Sequence, residues 1–410
     1  MNGARALLWL LVTALGLVGC ATGPARQNVL PTEAIRAKEA PPEASLLDVG
    51  IRVFETVKID TEEAEEQGTD PKIQQAEARY IPFHLKKTLQ ETGQWGAVRV
   101  VPARAEEVDV NVFGTLLESN GETLRVAVKV IDATGRVWFN NEYVSEATAK
   151  SYETLDKKDR EPYQDLYNRI ANDMLAYRQQ LGARELTAIR QVALLKFARD
   201  VAPRAFDSYL VKNDEGVFKI GRLPADNDPM FERVKRIRAR EYMFIDTVNL
   251  YYGNLYDDMR QPYEQWRKSS LEELTQKRAM ERKAWERRLL GLAALFGGIV
   301  VGHNGNSSGS AAASTVMVIG GYEVFRSGQQ YANDAKVHEA ALKELGVSFG
   351  ADVAPVLDEV EGRTLKLSGS VDAQYAQWRS TLQQLFAEET GLSPVAATPP
   401  AKSPEPAAQR

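Results

Sequence analysis

Val108-Asp109-Val110-Asn111-Val112-Phe113-Gly114-Thr115-Leu116-Leu117 alternates in steps of two, and the chain repeats that alternation at Leu124 to Asp132 and at Val137 to Val144. A period of two puts every second side chain on one face, so the three stretches read as half-buried strands. The links Ser119-Asn120-Gly121-Glu122 and Ala133-Thr134-Gly135-Arg136 carry hairpin chemistry, since glycine supplies the positive φ that tight turns need. With a shorter strand at Val98 to Val101 before them, the pattern predicts a meander of four strands. Upstream, Leu46 to Phe54 reads as another strand and residues 72–92 as a helix ending near Gly93, while a further helix opens near Glu161. Residues 46–182 are therefore expected to form an α/β sandwich, and the chain as a whole belongs to the α+β class.

Residues 183–288 read as a helical domain built on a long-helix bundle. Asp228 before Pro229 is a helix start, a capping side chain followed by the residue best tolerated in the first turn. Beyond it Phe231, Val234, Ile245, Val248, Tyr252, Leu255 and Met259 keep spacings of three and four, one apolar face, and Pro262 is expected to kink or restart the helix. The bundle partner is the segment around Ile189, Val192, Leu195 and Phe197. Tyr251, Tyr252, Tyr256, Tyr263 and Trp266 read first as packing residues with their polar ends at the rim, and second as a stacking platform for sugars. Lys235, Arg236, Arg238 and Arg240 read as a solvated face balanced by Glu232 and Glu241, or as a contact for phospholipid headgroups.

Residues 289–326 hold two uncharged arms, Leu289 to Gly302 and Ala311 to Tyr322, around the polar turn His303 to Ser310. They predict a Gly-rich apolar helical hairpin. At 1.5 Å per residue the first arm is about 21 Å long, short of the roughly 30 Å of a bilayer's hydrocarbon. Trp285, Arg287 and Arg288 before it and Tyr322, Phe325 and Arg326 after it would fall at one level, the aromatic and basic edge of a membrane interface. Gly291, Gly298 and Gly302 facing Ala311, Ala312, Gly320 and Gly321 would let two helices touch backbone to backbone. The segment is similar in style to the glycine-zipper hairpins of envelope lipoproteins, without their strict every-fourth-residue glycine. Two placements stay open: packing inside the protein or an oligomer interface, and partial insertion in a bilayer.

Residues 327–392 read as a small αββα unit, with helix at 333–346, strands at Val353 to Glu361 and Thr364 to Ser368, and helix at Val371 to Phe386. Val360-Glu361-Gly362-Arg363-Thr364-Leu365-Lys366-Leu367-Ser368-Gly369-Ser370-Val371 resembles the core of a BON domain, a resemblance that implies phospholipid or envelope attachment and no chemistry. In the first block, Gly93-Gln94-Trp95-Gly96-Ala97-Val98-Arg99-Val100-Val101 followed by Val108 to Leu116 loosely resembles the periplasmic domains of the curli-secretion lipoprotein and of lipoproteins that activate cell-wall synthases. That resemblance implies an assembly or activator module. Residues 393–410, rich in Pro and Ala, are expected to be a disordered tail.

At the other end Arg5 precedes the apolar run Ala6 to Val18, and Gly19 sits just before Cys20, the order of a secretory signal spanning residues 1–19. Leu17-Val18-Gly19-Cys20 resembles the lipobox of bacterial lipoproteins. The resemblance implies a lipidated Cys20, a chain cut before it, and, with no Asp following, export to the outer membrane on the periplasmic side. Two or three acyl chains would make that attachment effectively permanent. Residues 20–45, with Pro24, Pro31, Pro41 and Pro42, are expected to be a lipidated tether.

Cys20 is the only cysteine, so the mature chain has no thiol chemistry and no disulfide framework. Basic and acidic side chains number 51 and 56, a balance that calls for no nucleic acid partner. His84, His303 and His338 lack metal-ligand spacing, and no Gly-rich loop follows a strand and opens a helix. No catalytic residue, metal or cofactor is assigned, and the chain is expected not to be an enzyme. A carboxylate-based envelope hydrolase is the less favoured reading and would need a concave carboxylate pair in the fold. The expected function is a lipid-anchored periplasmic binding scaffold or assembly factor with the membrane and an envelope protein as partners. The alternative is a homo-oligomeric export or secretion accessory lipoprotein whose apolar hairpin docks in the membrane.

Overall fold

The computed structural model describes residues 31–57, 71–103, 105, 107–153, 161–301, 356–360, 363–367 and 370–391. In chain order the sheet elements of the first block are β1 (Val49–Arg52), β2 (Glu55–Thr56), β3 (Val98–Val101), β4 (Val110–Ser119), β5 (Thr123–Asp132) and β6 (Val137–Glu146), with helix α1 (Pro71–Thr92) between β2 and β3. Helices α2 (Gln164–Gln180) and α3 (Ala183–Val201) follow, then the short strands β7 (Leu210–Lys212) and β8 (Phe218–Ile220). Helix α4 (Pro229–Val301), the hairpin β9 (Val356–Val360) and β10 (Arg363–Leu367), and helix α5 (Val371–Thr390) complete the described chain. The architecture is α+β, as the alternation and the helical spacing predict.

The antiparallel run β4-β5-β6 forms where period two places it, and Leu124, Val126, Val128 and Val130 on β5 are fully buried. At the β4–β5 turn Asn120 accepts the amides of Glu122 and Thr123, and Gly121 takes φ +80°. No side chain would fit there in any case, because a Cβ on Gly121 would lie 2.2 Å from the Arg267 carbonyl oxygen.

The four-strand meander needs correcting. Strand order is β3-β1-β4-β5-β6, with β1 parallel to both β3 and β4, so β3 lies outside the meander. Every residue of β1 is buried, and a strand covered on both faces is stable in the middle of a sheet, with neighbours on either side. Two parallel strands need a long crossover, and α1 supplies it between β1 and β3. One side of α1 (Ala78, Ile81, Leu85, Leu89) joins the core beneath the sheet, together with α2 and α3. Its other side (Ile73, Ala76, Tyr80, Phe83) joins a second core with α4 and α5.

Helix α4 starts at the expected cap, where Asp228 Oδ1 accepts the amides of Met230 (2.8 Å) and Phe231 (3.2 Å). Val234, Ile245, Val248, Tyr252, Leu255 and Met259 are buried along it. The helix continues through Pro262 instead of restarting, with buried Met259 and Tyr263 fixing it on either side. Tertiary packing outweighs the one backbone hydrogen bond that proline removes. The stretch expected to be mostly helical also contains the ribbon β7-β8, closed by Gly216 at φ +79°.

Helix α5 is capped by Ser370 Oγ, which accepts the Ala373 amide, and ends at Gly391 with φ +69°. Its buried residues Tyr375, Trp378, Leu382 and Phe386 share one core with α4, and the Trp378 ring stacks on Phe244 at 5.9 Å. Arg379 locks the joint by donating to Glu241, Glu107 (3.0 Å) and Asp200 (2.7 Å). Of the predicted αββα unit, the hairpin and the second helix are described, whereas residues 333–346 lie outside the described residues. The predicted apolar hairpin lies outside them from Gly302 onward, and its first arm to Val301 is the far end of α4. The tail 393–410 and residues 20–30 of the tether also lie outside. Glu33 to Ser45, expected as tether, hydrogen-bond to the body, with Ile35 N–H donating to Asn172 and Ala37 N–H to the Thr92 carbonyl.

The outer edge of β3 is closed by a side chain of α4. Asn249 Oδ1 accepts the Val100 amide at 2.9 Å, and Asn249 Nδ2 donates to the Val100 carbonyl at 2.8 Å, all buried. Asn249→Leu keeps the branched shape and strands both backbone groups, so it should cost about 2–3 kcal/mol. The check is a lower urea midpoint at unchanged slope together with faster exchange of the Val100 amide; an unchanged midpoint would show that the edge is held otherwise.

Candidate functional site

A cavity of about 630 Å³ opens between α1, α2 and α4. Its wall centres on His84 of α1. His84 Nε2 lies 2.9 Å from Gln164 Oε1, and His84 Nδ1 lies 2.7 Å from the Tyr256 hydroxyl. The Gln164 amide nitrogen is committed to Thr88 Oγ1 (3.2 Å) and Asn168 Oδ1 (2.8 Å), so its oxygen faces the imidazole. This fixes the tautomer: Nε2 carries the hydrogen and donates to Gln164, while Nδ1 accepts from Tyr256. Burial holds the His84 pKa below its ordinary value, which agrees with a neutral ring satisfied at both nitrogens. The same burial, reinforced by the Glu161 carboxylate, holds the Tyr256 hydroxyl well above the usual range.

Behind this wall Arg267 of α4 donates to both oxygens of Glu161, with the two side chains 2% and 4% exposed. Burial alone would raise the Glu161 pKa, but the guanidinium beside it outweighs that and leaves the carboxyl below its ordinary value. Arg267 also stacks over the Tyr263 ring at 4.0 Å. One layer deeper Glu77 accepts from the Tyr263 hydroxyl (2.6 Å) and from Ser119 Oγ (2.5 Å). At the mouth, Lys87 sits 4.9 Å over the Tyr256 ring and Arg36 pairs with Glu91 at 3.6 Å. These hydrogen bonds hold the wall in one arrangement, so the site is a preformed cleft.

The second cavity, about 490 Å³, lies among α3, α4 and the ends of β1 and β4. Asp48 and Asp109 both line it, which meets the geometric requirement set by the hydrolase reading. Asp109 Oδ2 accepts the Asp48 amide at 2.9 Å, and burial, opposed by Arg238, pushes its carboxyl up to about 6. Asp48 Oδ1 accepts the Ala97 amide at 2.8 Å and the carboxylate faces Arg99 at 3.9 Å. That engagement makes Asp48 a brace between β1 and the loop before β3.

Of the residues singled out in the sequence, Cys20, Tyr322, Phe325 and Arg326 lie outside the described residues. Trp285, Arg287 and Arg288 fall on α4, where the backbone alone is described. Tyr252, Tyr256, Tyr263 and Trp266 are buried and Tyr251 is half-buried against the same core, while the Tyr256 ring stacks on Tyr80 (4.5 Å) and lies under Lys87, so these aromatics are used in packing. The basic cluster divides. Lys235 pairs with Glu232 at 2.7 Å, whereas Arg238 turns inward to the Glu107 carbonyl (2.8 Å) and the Tyr242 hydroxyl (2.7 Å). Glu241 is buried under Tyr375 and Arg379, away from the solvated face expected for it. The His84, Gln164, Glu161 and Arg267 constellation was not assigned from the sequence. Its one local signal is the Tyr80, His84 and Thr88 spacing of four, which puts three polar side chains on one stripe of the helix. Among the described residues no cluster of His, Cys, Asp or Glu could hold a metal ion, and no helix is long and apolar enough to cross a membrane.

The raised carboxyl at Asp109 has a signed consequence. Its pKa is about 6 in the fold against the ordinary 3.8, so the stability it contributes is fully present below 3.8 and is lost as pH rises through 6. Between about pH 5 and about pH 7.5 the loss is about 1 kcal/mol. Asp109→Asn keeps an acceptor for the Asp48 amide and removes the titration, so urea midpoints should fall less across that interval than in the parent. Parallel pH profiles would contradict the assignment.

No protein-family model matches the chain, and no curated protein matches it. Among solved structures it is similar to a PelC dodecamer from Paraburkholderia phytofirmans, at 16% identity and a TM-score of 0.21 over 34% of this chain and 94% of that one. It is also similar to a DUF330 protein from Xanthomonas campestris, at 10% identity and a TM-score of 0.22 over 37% of this chain and 95% of that one.

Proposed function

We propose that the chain is a lipid-anchored envelope protein on the periplasmic face of the outer membrane, acting as a binding scaffold or assembly factor without catalysis of its own. The observation that carries this reading is the single helix α4. Its length from Pro229 to Leu271 is built into the body through buried side chains, and the same helix continues to the uncharged stretch ending at Val301. Beyond Arg278, whose guanidinium meets Glu122 at 2.5 Å, about 35 Å of helix remains at 1.5 Å per residue. With the lipobox-like Leu17 to Cys20 supplying the anchor, a folded binding body and a stiff apolar-ended rod would belong to one tethered molecule. The export-accessory alternative uses the same rod as a membrane-docking element in an oligomer. A hydrolase is favoured by one observation, the Asp48 and Asp109 pair in a concave pocket, and would require glycan cleavage that Asp109→Asn abolishes.

Fractionation and crosslinking test the proposal together. The parent chain should float with outer membranes and Cys20→Ser should move to the soluble periplasmic fraction; a soluble parent would overturn the anchor. If Cys20→Ser still floats and Val300→Asp then releases it, the apolar end of α4 is a second membrane contact. Crosslinked envelopes should yield one stoichiometric protein partner for a scaffold, self-association for an export assembly, and neither if both readings are wrong.

A further inference from the structure

We propose that the cleft between α1, α2 and α4 is a binding site for an acidic sugar, with Lys87 as the residue that takes the carboxylate. The volume comes first. About 630 Å³ lies within the usual range of preformed small-molecule sites and is several times what an inorganic anion occupies.

The lining decides the chemistry. Among the described residues no aliphatic side chain other than that of Pro162 lines the cleft, so there is no slot for an acyl chain. The two tyrosines there, Tyr80 and Tyr256, stack on each other at 4.5 Å, with their hydroxyls bonded to Glu161 and His84. Thr88, Gln261 and Glu264 add hydroxyl, amide and carboxylate groups around the mouth. A cleft lined by hydroxyl, amide and charged groups with almost no aliphatic wall matches a ligand covered in hydroxyls, which is the surface of a sugar.

Charge selects among sugars. Four cations and three carboxylates line the cleft. Arg267 is neutralised by Glu161 and Arg36 by Glu91, Arg260 and Glu264 stand one turn apart on α4 and balance in charge, and the hydrogen-bonded His84 is held neutral. Lys87 meets the Tyr256 ring but has no carboxylate partner among the described residues, and it stands one turn from His84 at the opening. A single unmatched ammonium beside a polar wall favours a monoanionic sugar over a neutral one. The wall needs no rearrangement to accept it, because Gln164 locks the imidazole in one tautomer. This site stands apart from the lipid anchor and does not depend on it.

The test is titration of the full mature chain, in detergent, with glucuronate and separately with glucose, followed by ligand-observed nuclear magnetic resonance. Glucuronate should bind saturably and more tightly than glucose. Lys87→Gln should weaken glucuronate by about tenfold and leave any glucose binding unchanged, Lys87→Arg should restore most of it, and Arg236→Gln on the exposed face of α4 should change nothing. No saturable binding of glucuronate, equal affinity for the two sugars, or glucuronate binding indifferent to Lys87→Gln would each overturn the proposal.

Discussion

The structure turns on one buried ion pair, Arg267 with Glu161. It joins the middle of α4 to the segment that opens α2, and it does so where α4 crosses the β4–β5 turn. Around it Tyr263 reaches Glu77, Ser270 Oγ donates to the Asn120 carbonyl at 2.7 Å, and the Tyr152 hydroxyl donates to the Gly121 carbonyl at 2.5 Å. A pair of this kind costs desolvation on both sides, and replacing it by apolar groups need not weaken a fold. What it supplies is register. A guanidinium with a fixed fork accepts one placement of its carboxylate, so α4 can lie against the sheet in one position along its length. The cleft, its floor and the bare Gly121 turn all follow from that position.

Much of this was legible in the sequence because short-range rules governed it. The strands β4 to β6 follow from alternation and two glycine turns, and the start of α4 from Asp228 before Pro229. Both are local demands of backbone geometry that no distant contact overrides. The place of β1 was not legible, since Val49 to Arg52 carries no mark of which strands flank it; parallel pairing is decided by the α1 crossover. The continuity of α4 through Pro262 was hidden for a related reason. Proline's local cost is visible in sequence, whereas the burial of Met259 and Tyr263 that offsets it is a tertiary quantity. The ribbon β7-β8 escaped because three-residue strands carry no measurable period, though Asn213-Asp214-Glu215-Gly216 is turn chemistry.

The site was less legible than the fold. His84, Gln164 and Tyr256 come from three helices far apart in the chain, and none stands in a spacing that names a reaction. The tyrosines were read correctly as packing, yet packing and site are here the same residues. The hydroxyl of Tyr256 that satisfies its own burial also fixes the hydrogen of His84. Charge reading failed in a similar way at Arg238 and Glu241, which look like members of a solvated face until β1, β4 and α5 cover that side of the helix.

Asn249 carries a consequence for how copies of this chain can meet. By occupying the amide and carbonyl of Val100 it makes a helix stand in for a neighbouring strand and removes one flank of the sheet from further pairing. Among the described residues no strand pairs with the outer flank of β6. A sheet open on both flanks can be extended by copy after copy without end, whereas one open on a single flank can be joined once and is then full. At Val100, then, a further strand is kept from pairing with β3, and a single amide side chain does it.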